Sequence, residues 1–255
     1  MAAELMSGDC HVLYLYGISQ SHLPNLPTQA GIDGQARIEA VECDGVVCWI
    51  SRVSRVEFEE NLARNMENLD WLTRASVAHQ GAISAVARET EILPARLNTI
   101  FRNQDSLFTH VRESLGTLKR DFKRVQGADE WGIKVFALKQ PTRPNSKIRS
   151  GKEYLQAKAA LLPKRQSTSE MSSDLVEFGE ALKEVALETA APGSVSSGQR
   201  GLAFQTTLLV KKADRKKLES IIRKFSKRWD EVRRIECTGP WPPYSFVSRV
   251  AQESD

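Results

Sequence analysis

"HVLYLYGI", residues 11–18, sets how the chain begins to fold. Side chains alternate across a β-strand, so a strand with one wet face reads apolar, polar, apolar. Here both alternating sets are apolar, which predicts an inner strand. "HLPNLPTQAGIDG" (22–34) then reads as loop from its Pro and Gly content. "RIEAVECDGVVCWISRV" (37–53) holds two β-rich runs around Asp44-Gly45, a strong hairpin signal. A two-residue turn sets Cys43 opposite Val46 and Cys48 opposite Val41, out of register for a disulfide. Cys10, Cys43, Cys48 and Cys237 show no C-x-x-C spacing and are expected to be reduced, buried thiols.

Beyond the hairpin the period becomes helical. Ser54 and Glu57 form an S-x-x-E capping box for a helix from about 55. Near Asp70 a second segment starts, with Trp71, Ala75, His79 and Ile83 on one face. "EILPARLNTIF" (91–101) is extended, and Pro94 limits it to an edge, a bulge or a strand start. Phe108, Val111, Leu115, Leu118, Phe122 and Val125 step by three and four. Asp105 serves as N-cap of that helix, and Gly127 ends it. Strands are predicted at 130–139, 201–210 and 232–239. Helices are predicted from 150, around Leu175–Val185 and around Leu218–Trp229, with loops at 141–146 and 191–199. The halves read β-β-β-α-α-β-α and β-α-β-α-β. Such runs predict an α+β chain of two domains, 1–128 and 129–255, with helices on one side of each sheet.

The chain has 255 residues, 41% hydrophobic and 27% charged, the composition of a globular protein with a real core. No apolar run approaches the ~20 residues that span a bilayer. "VLYLYGI" (12–18) lacks the basic flank and cleavage site of a signal peptide, so a cytoplasmic location is expected. The histidines at 11, 22, 79 and 110 are scattered, which leaves a zinc site unsupported. "SKIRSGK" (146–152) has Ser146 where a phosphate loop needs Gly and is followed by Glu153 where Ser or Thr is needed. No G-x-G-x-x-G follows a strand, and no G-x-S-x-G or H-E-x-x-H occurs. His79 lies on the apolar stripe with no nameable partner and is read as structural.

Residues 211–234 hold eleven Lys and Arg against four Asp and Glu, net +7 in a chain of net +4. A basic helix face bearing Lys216, Arg223 and Lys227 could meet an acidic partner or nucleic acid, or simply be solvated. Arg96, in an apolar strand, reads as a structural ion pair or as an interface anchor. "GPWPPY" (239–244) has its own logic. Gly239 permits a tight bend, and Pro240, Pro242 and Pro243 cannot donate to a sheet ladder. The result is a stiff strut that fixes Trp241 and Tyr244 in direction. Trp241 is expected to pack on its own domain, the second, so Trp241→Ala should cost more in stability than in binding.

"TGPWPPYSFV" (238–247) resembles the signature of the GvpF/GvpL family of gas vesicle proteins. "LYLYGI" (13–18), "WLTRASVAHQGAISAV" (71–86), "ILPARLNTIF" (92–101), "EWGIKVF" (130–136) and "SGKEYLQAK" (150–158) resemble further family segments in order. Where the family commonly has Phe-Gly after the arginine, this chain has Leu97-Asn98; Asn tolerates the positive φ a glycine would serve. The resemblance implies two α+β domains, the second a modified ferredoxin-like fold. It implies an accessory or minor component needed for assembling gas vesicles, the protein shells that give buoyancy. Such proteins bind the very hydrophobic shell protein GvpA and other accessory Gvp proteins. They are not enzymes and imply no cofactor, nucleic acid or membrane. A cytoplasmic, gas-vesicle-associated protein, monomeric in isolation, is expected. Arg96, Lys216, Arg223, Lys227, Gly239, Trp241, Pro242, Pro243 and Tyr244 are the candidate partner-binding or structural residues. Two rival readings stay open: a small-molecule enzyme on a ferredoxin-like scaffold, and a nucleic-acid binder using 211–234.

Overall fold

The computed structural model describes residues 10–23, 25, 27–138, 173–191 and 199–248. The helix read from 150, the turn at 141–146 and most of the loop at 191–199 lie outside the described residues. Among the described residues the chain is a mixture of helix and sheet with two separate sheets. It divides into two compact units. One comprises Met1–Trp131, Leu209–Lys212 and Thr238–Asp255; the other comprises Gly132–Leu208 and Ala213–Cys237. Thr238–Asp255 thus groups with the first unit, whereas the sequence reading leaves it with the second half.

The first sheet is built around β1 (His11–Ser19). β3 (Val46–Ser54) pairs with one edge of it, and β2 (Glu39–Cys43) pairs with β3. The short strands β4 (Ile92–Pro94) and β5 (Ile100–Phe101) share its other edge. All these pairs are antiparallel, and the order is β2-β3-β1-β4. Every β1 residue except His11 is buried, as a strand apolar on both faces requires. Val41 lies opposite Cys48 and Cys43 opposite Val46, the register that an Asp-Gly turn with both residues at positive φ imposes. Cys43 and Cys48 are buried free thiols. Cys10 and Cys237 are exposed, contrary to the sequence reading: each sits at or near a surface strand position that composition cannot reveal.

Residues paired across a sheet share a face. Val12 with Val53, Tyr14 with Ser51 and Gly17 with Trp49 mark one face. Leu13 with Phe101 and Ile18 with Cys48 mark the other. The register shifts between Leu15 and Gly17, so Tyr16 is the extra residue of a bulge and faces the same core as Tyr14. Gly17 also belongs on that face, where a Cβ would stand 2.6 Å from the Leu93 carbonyl oxygen. Helix α1 (Leu62–Glu67) is followed by α2 (Leu69–Ala87), and α2 closes this face with Trp71, Ala75, Ala82, Ile83 and Val86. Helix α3 (Gln104–Val125) closes the other, with His110 ring to ring with Phe101 at 5.2 Å. The sheet therefore carries helices on both faces rather than one. A central strand with no polar face leaves no alternative.

Helix starts differ from the sequence reading for local reasons. The Glu57 N–H donates to Ser54 Oγ at a long 3.4 Å, and a π-helical turn (Val56–Glu60) replaces a regular helix there. The Glu57 carboxylate instead accepts from Trp71 Nε1. Asn68 caps α2 by accepting from the Asp70 and Trp71 N–H groups. Asn103, not Asp105, caps α3, in a reciprocal box with Ser106. Asp105 lies in the first turn, where its charge still suits the dipole.

The α2 face buries two tyrosines and a histidine, so their polar atoms need partners. His79 Nδ1 lies 2.8 Å from the Tyr14 hydroxyl and Nε2 lies 3.2 Å from the Ala95 carbonyl. A carbonyl only accepts, so Nε2 carries the proton and Nδ1 accepts from Tyr14. The Tyr14 oxygen then accepts from the Asn98 N–H. Tyr16 donates to Ser51 Oγ, which donates to the Arg37 carbonyl, while the Ile32 N–H donates to Tyr16. Burial pushes the Tyr16 phenol up to about 12 and the His79 imidazole down to about 4.

The second sheet runs β7-β8-β6-β9. It comprises β6 (Ala128–Ala137), β7 (Glu188–Ala190), β8 (Leu202–Lys211) and β9 (Arg233–Trp241). Strand β7 has no counterpart in the sequence reading: three residues, two of them polar, carry no period. Helices α4 (Ser173–Val185) and α5 (Arg215–Trp229) meet through Phe178, which contacts the Phe225 and Trp229 rings at 4.9 and 5.2 Å. Phe204 of β8 adds a fourth ring at 5.8 Å from Phe178. Arg228 pairs with Glu177, and Arg233 with Asp174, beside this cluster.

Because His79 is neutral when folded and its pKa is depressed, the unfolded chain binds the extra proton between its ordinary 6.5 and about 4. Its stabilisation is fully present above 6.5 and is lost as pH falls toward 4, about 2–3 kcal/mol by pH 4.5. His79→Phe should cost about 2–4 kcal/mol at pH 7.5, by unpairing Tyr14 and Ala95, yet flatten the pH slope. Urea melts of both proteins at pH 7.5, 5.5 and 4.5 check this; an unchanged slope in the variant contradicts it.

Candidate interaction site: a groove walled by the C-terminal segment

The end of β9 and the segment after it are anchored at each step within the first unit. Gly239 has φ of 135°, and a Cβ there would lie 2.8 Å from the Glu130 carbonyl and 2.9 Å from the Trp131 ring. Only glycine lets the two strands approach this closely. The strand runs past Pro240, the stop the sequence predicts, to Trp241; Pro242 and Pro243 then end the ladder, and Pro243 is buried. Tyr244 donates to Gln80 Oε1 on α2 at 2.9 Å. Ser245 gives its N–H and O–H to the two Glu130 oxygens, at 2.7 and 2.8 Å. Ser248 does the same to Asp121 on α3, at 2.8 and 2.9 Å. Between the serines, Phe246 is 1% and Val247 7% exposed. Burial raises the Glu130 pKa, against the lowering effect of the two Ser245 bonds.

Trp241 breaks from this pattern. It is 42% exposed, so it does not pack as the sequence reading expects. After the prolines the chain makes a short 3-10 turn, in which the Phe246 N–H donates to the Pro243 carbonyl at 3.1 Å, so that Tyr244 and Phe246 turn inward and Trp241 stays on the rim. With Pro240, Pro242 and Pro243 it walls a groove of about 210 Å³. Ala87 at the end of α2, Ile92 of β4 and Val125 at the end of α3 give the groove apolar surface. Arg88, Glu91, Asp129 and Lys212 are its charged members. Glu91 is engaged by the Gly127 N–H at 2.7 Å, and Lys212 Nζ lies 4.0 Å from Asp129.

The structure brings Gly239, Trp241, Pro242, Pro243 and Tyr244 together here, and not the other sequence candidates. Arg96 is exposed on the turn between β4 and β5, and its guanidinium has no ion pair among the described residues, so the structural ion-pair reading fails. The apolar residues around it in sequence turn to the core while the turn points it outward. Its carbonyl accepts from the Thr99 N–H and O–H, and Asn98 takes φ of 66°. The asparagine thus serves the left-handed position anticipated for it. Lys216, Arg223 and Lys227 are exposed on α5 of the second unit. Sequence reasoning missed Gln80, Asp121 and Glu130, the receivers of the tail. The Ser245-x-x-Ser248 repeat was the available signal, but its acceptors are more than a hundred residues away.

Tyr14 and His79, whose pKa values burial shifts, bond each other and the backbone, and Tyr16 bonds Ser51 and the Ile32 N–H. Among the described residues no group of three or more His, Cys, Asp or Glu is placed to hold a metal ion. No described helix is long and apolar enough to cross a membrane. The architecture offers a surface for contact. Sequence comparison says which family it serves: the profile "Gas vesicle synthesis protein GvpL/GvpF" matches residues 12–248.

The chain belongs to the GvpL/GvpF family. It is 28% identical to gas vesicle protein L of a Streptomyces species, over 94% of each chain. It is 21% identical to gas vesicle protein F1 of Halobacterium salinarum, over 92% of each. The fold resembles crystal structures of GvpF from Anabaena and from Microcystis aeruginosa, each with TM-score 0.66 and 18% identity. The alignments cover 96% of this chain and 98% of the Anabaena one, and 93% and 99% for Microcystis. Family membership gives this protein a gas vesicle role.

The two aromatics Trp241, on the groove wall, and Phe246, buried behind it, should behave oppositely. Trp241→Ala is expected to change unfolding stability by less than about 1 kcal/mol, since its ring is already wet. Phe246→Ala should cost about 3–5 kcal/mol as a fully buried ring. Urea denaturation of the two variants checks this; equal losses would contradict the assignment of Trp241 to the rim.

Proposed function

We propose that this protein is an accessory or minor structural protein required for gas vesicle assembly. It binds the shell protein GvpA and other accessory Gvp proteins, and holds or places the shell subunit. The observation that carries the reading is the groove beside Trp241, in a chain of the GvpL/GvpF family. A rigid wall loses little entropy on docking, and a half-exposed tryptophan beside a concavity has the character of an interface anchor. A subunit with exposed apolar surface aggregates unless it is held, which gives the binding its purpose. The role is one of binding and not of catalysis, exercised in the cytoplasm and at the gas vesicle by a protein monomeric in isolation.

Two α+β domains suit this role, an N-terminal one over 1–128 and a C-terminal one from 129. We read the second as a modified ferredoxin-like domain. Its described elements follow β-α-β-β-α-β, and the order β7-β8-β6-β9 places the first and third strands at the centre. Arg96, exposed in the first unit, is a second candidate contact.

Co-expression with tagged GvpA tests the proposal. GvpA should co-purify with the full chain, and Trp241→Ala, folded by its melting curve, should recover about tenfold less, the loss of one anchor of ~1.4 kcal/mol. Co-purification of neither GvpA nor any accessory Gvp protein would sink the binding role.

A further inference from the structure

Helix α5 carries a second feature, independent of the groove and of the shell-protein reading. Its buried residues, Leu218, Phe225 and Trp229, lie on one face. At 100° per residue, Lys216, Ser220, Arg223 and Lys227 line up on the opposite face, in steps of four, three and four. All four are exposed. Of the neighbouring cations, Arg215 pairs with Glu219, Lys217 with Asp214 and Arg228 with Glu177, while Lys224 lies 5.6 Å from the Phe225 ring centroid. Lys216, Arg223 and Lys227 have no ion pair among the described residues. Asp214 and Glu219 are thus spent on the flanks, and Asp230 and Glu231 lie beyond the end of the helix, so the stripe itself holds no acid. At 1.5 Å per residue it runs roughly 16 Å, three turns of helix.

We propose that this stripe docks an acidic α-helix of another protein, one presenting carboxylates at the same i, i+4, i+7, i+11 spacing. Charge complementarity selects the sign of the partner and the 4-3-4 phasing selects its conformation. Two other anionic surfaces fit less well. Single-stranded nucleic acid binding uses exposed aromatics to stack bases, but Phe225 and Trp229, the rings of α5, are 1% and 4% exposed. A membrane-surface helix needs an apolar face to insert, and the apolar face of α5 is spent on its own core.

The test uses the full chain and two labelled alanine-based helical peptides of equal charge. One has Glu in the matching phase; the other has the same Glu residues dispersed around the helix. By fluorescence anisotropy in 50 mM salt, the phased peptide should bind at least about tenfold tighter, and this should weaken steeply by 300 mM. The variant K216E/R223E/K227E should abolish the preference, and K216A/R223A/K227A, which adds no repulsion, should reduce it about tenfold or more. K119E/R120E/K123E, on exposed positions of α3, makes the same net-charge change and should keep it. Thermal melts confirm that each variant folds. Equal affinity for both peptides, no binding at low salt, or equal loss in the α3 variant would overturn the proposal. So would tighter binding of a single-stranded oligonucleotide or of phosphatidylserine vesicles than of the phased peptide.

Discussion

Burying Tyr14 and Tyr16 on one face of one strand is the constraint around which the first unit is arranged. A phenol hydroxyl left unpaired in a core costs about 1–3 kcal/mol, so each must recruit partners. Tyr14 recruits His79 from α2 and the Asn98 N–H; Tyr16 recruits Ser51 and the Ile32 N–H. The helix that roofs the sheet, the turn between β4 and β5, and the loop before β2 are thereby fixed to the same strand. The bulge at Tyr16 makes this possible, because strict alternation from Tyr14 on would pass Gly17 to the opposite face and break the fit with Trp49. Gly17 then follows as a packing requirement.

The C-terminal segment depends on the same scaffold. Its receivers are Gln80 on α2, Asp121 on α3 and Glu130 in β6, and the two helices are already positioned by the β1 sheet. Carboxylates taking both an N–H and an O–H from one serine form charge-assisted pairs, stronger than neutral hydrogen bonds. With Phe246 and Val247 buried between them, the serines clamp the segment at two points three residues apart. The prolines upstream have little freedom left to lose. The direction of Trp241 is set before any partner arrives, which separates the anchoring residues from the presenting one.

Much of this was legible in the sequence, and the failures are informative. The unbroken apolar run of β1 announced a strand buried on both sides, and the Asp44-Gly45 turn set the register of Cys43 and Cys48 correctly. The same run already implied helices on both faces, an inference that element order alone hides. Local signals competed where several polar residues cluster. Asn103 and Asp105 can each cap α3, and the choice fell to Asn103 because Ser106 stands three residues on to reciprocate. Ser54 and Glu57 spell a capping box, but the indole of Trp71 claims the Glu57 carboxylate. Trp241 was misjudged because aromatic residues beside a core strand usually pack. Nothing local tells that the prolines turn the chain between Trp241 and Tyr244, and the acceptors that decide it are far away in sequence.

The groove and the cationic stripe differ in physical kind, and the difference bears on how such a protein could handle a partner. The groove works at contact range: an indole and apolar walls gain energy only once water is expelled, so they govern how long a partner stays. The stripe acts over roughly a Debye length, about 8 Å at physiological salt, so it governs encounter and orientation. A protein with only the first would be slow to select among apolar segments, which resemble one another in a hydrophobic pocket. One with only the second would release its partners readily. Were both proposals to hold, affinity and selectivity would be set by separate residues, Trp241 for the one and Lys216, Arg223 and Lys227 for the other. Under the two proposals, substitutions in the stripe would act on association and substitutions at Trp241 on dissociation, without either passing through the tyrosine network that holds the fold.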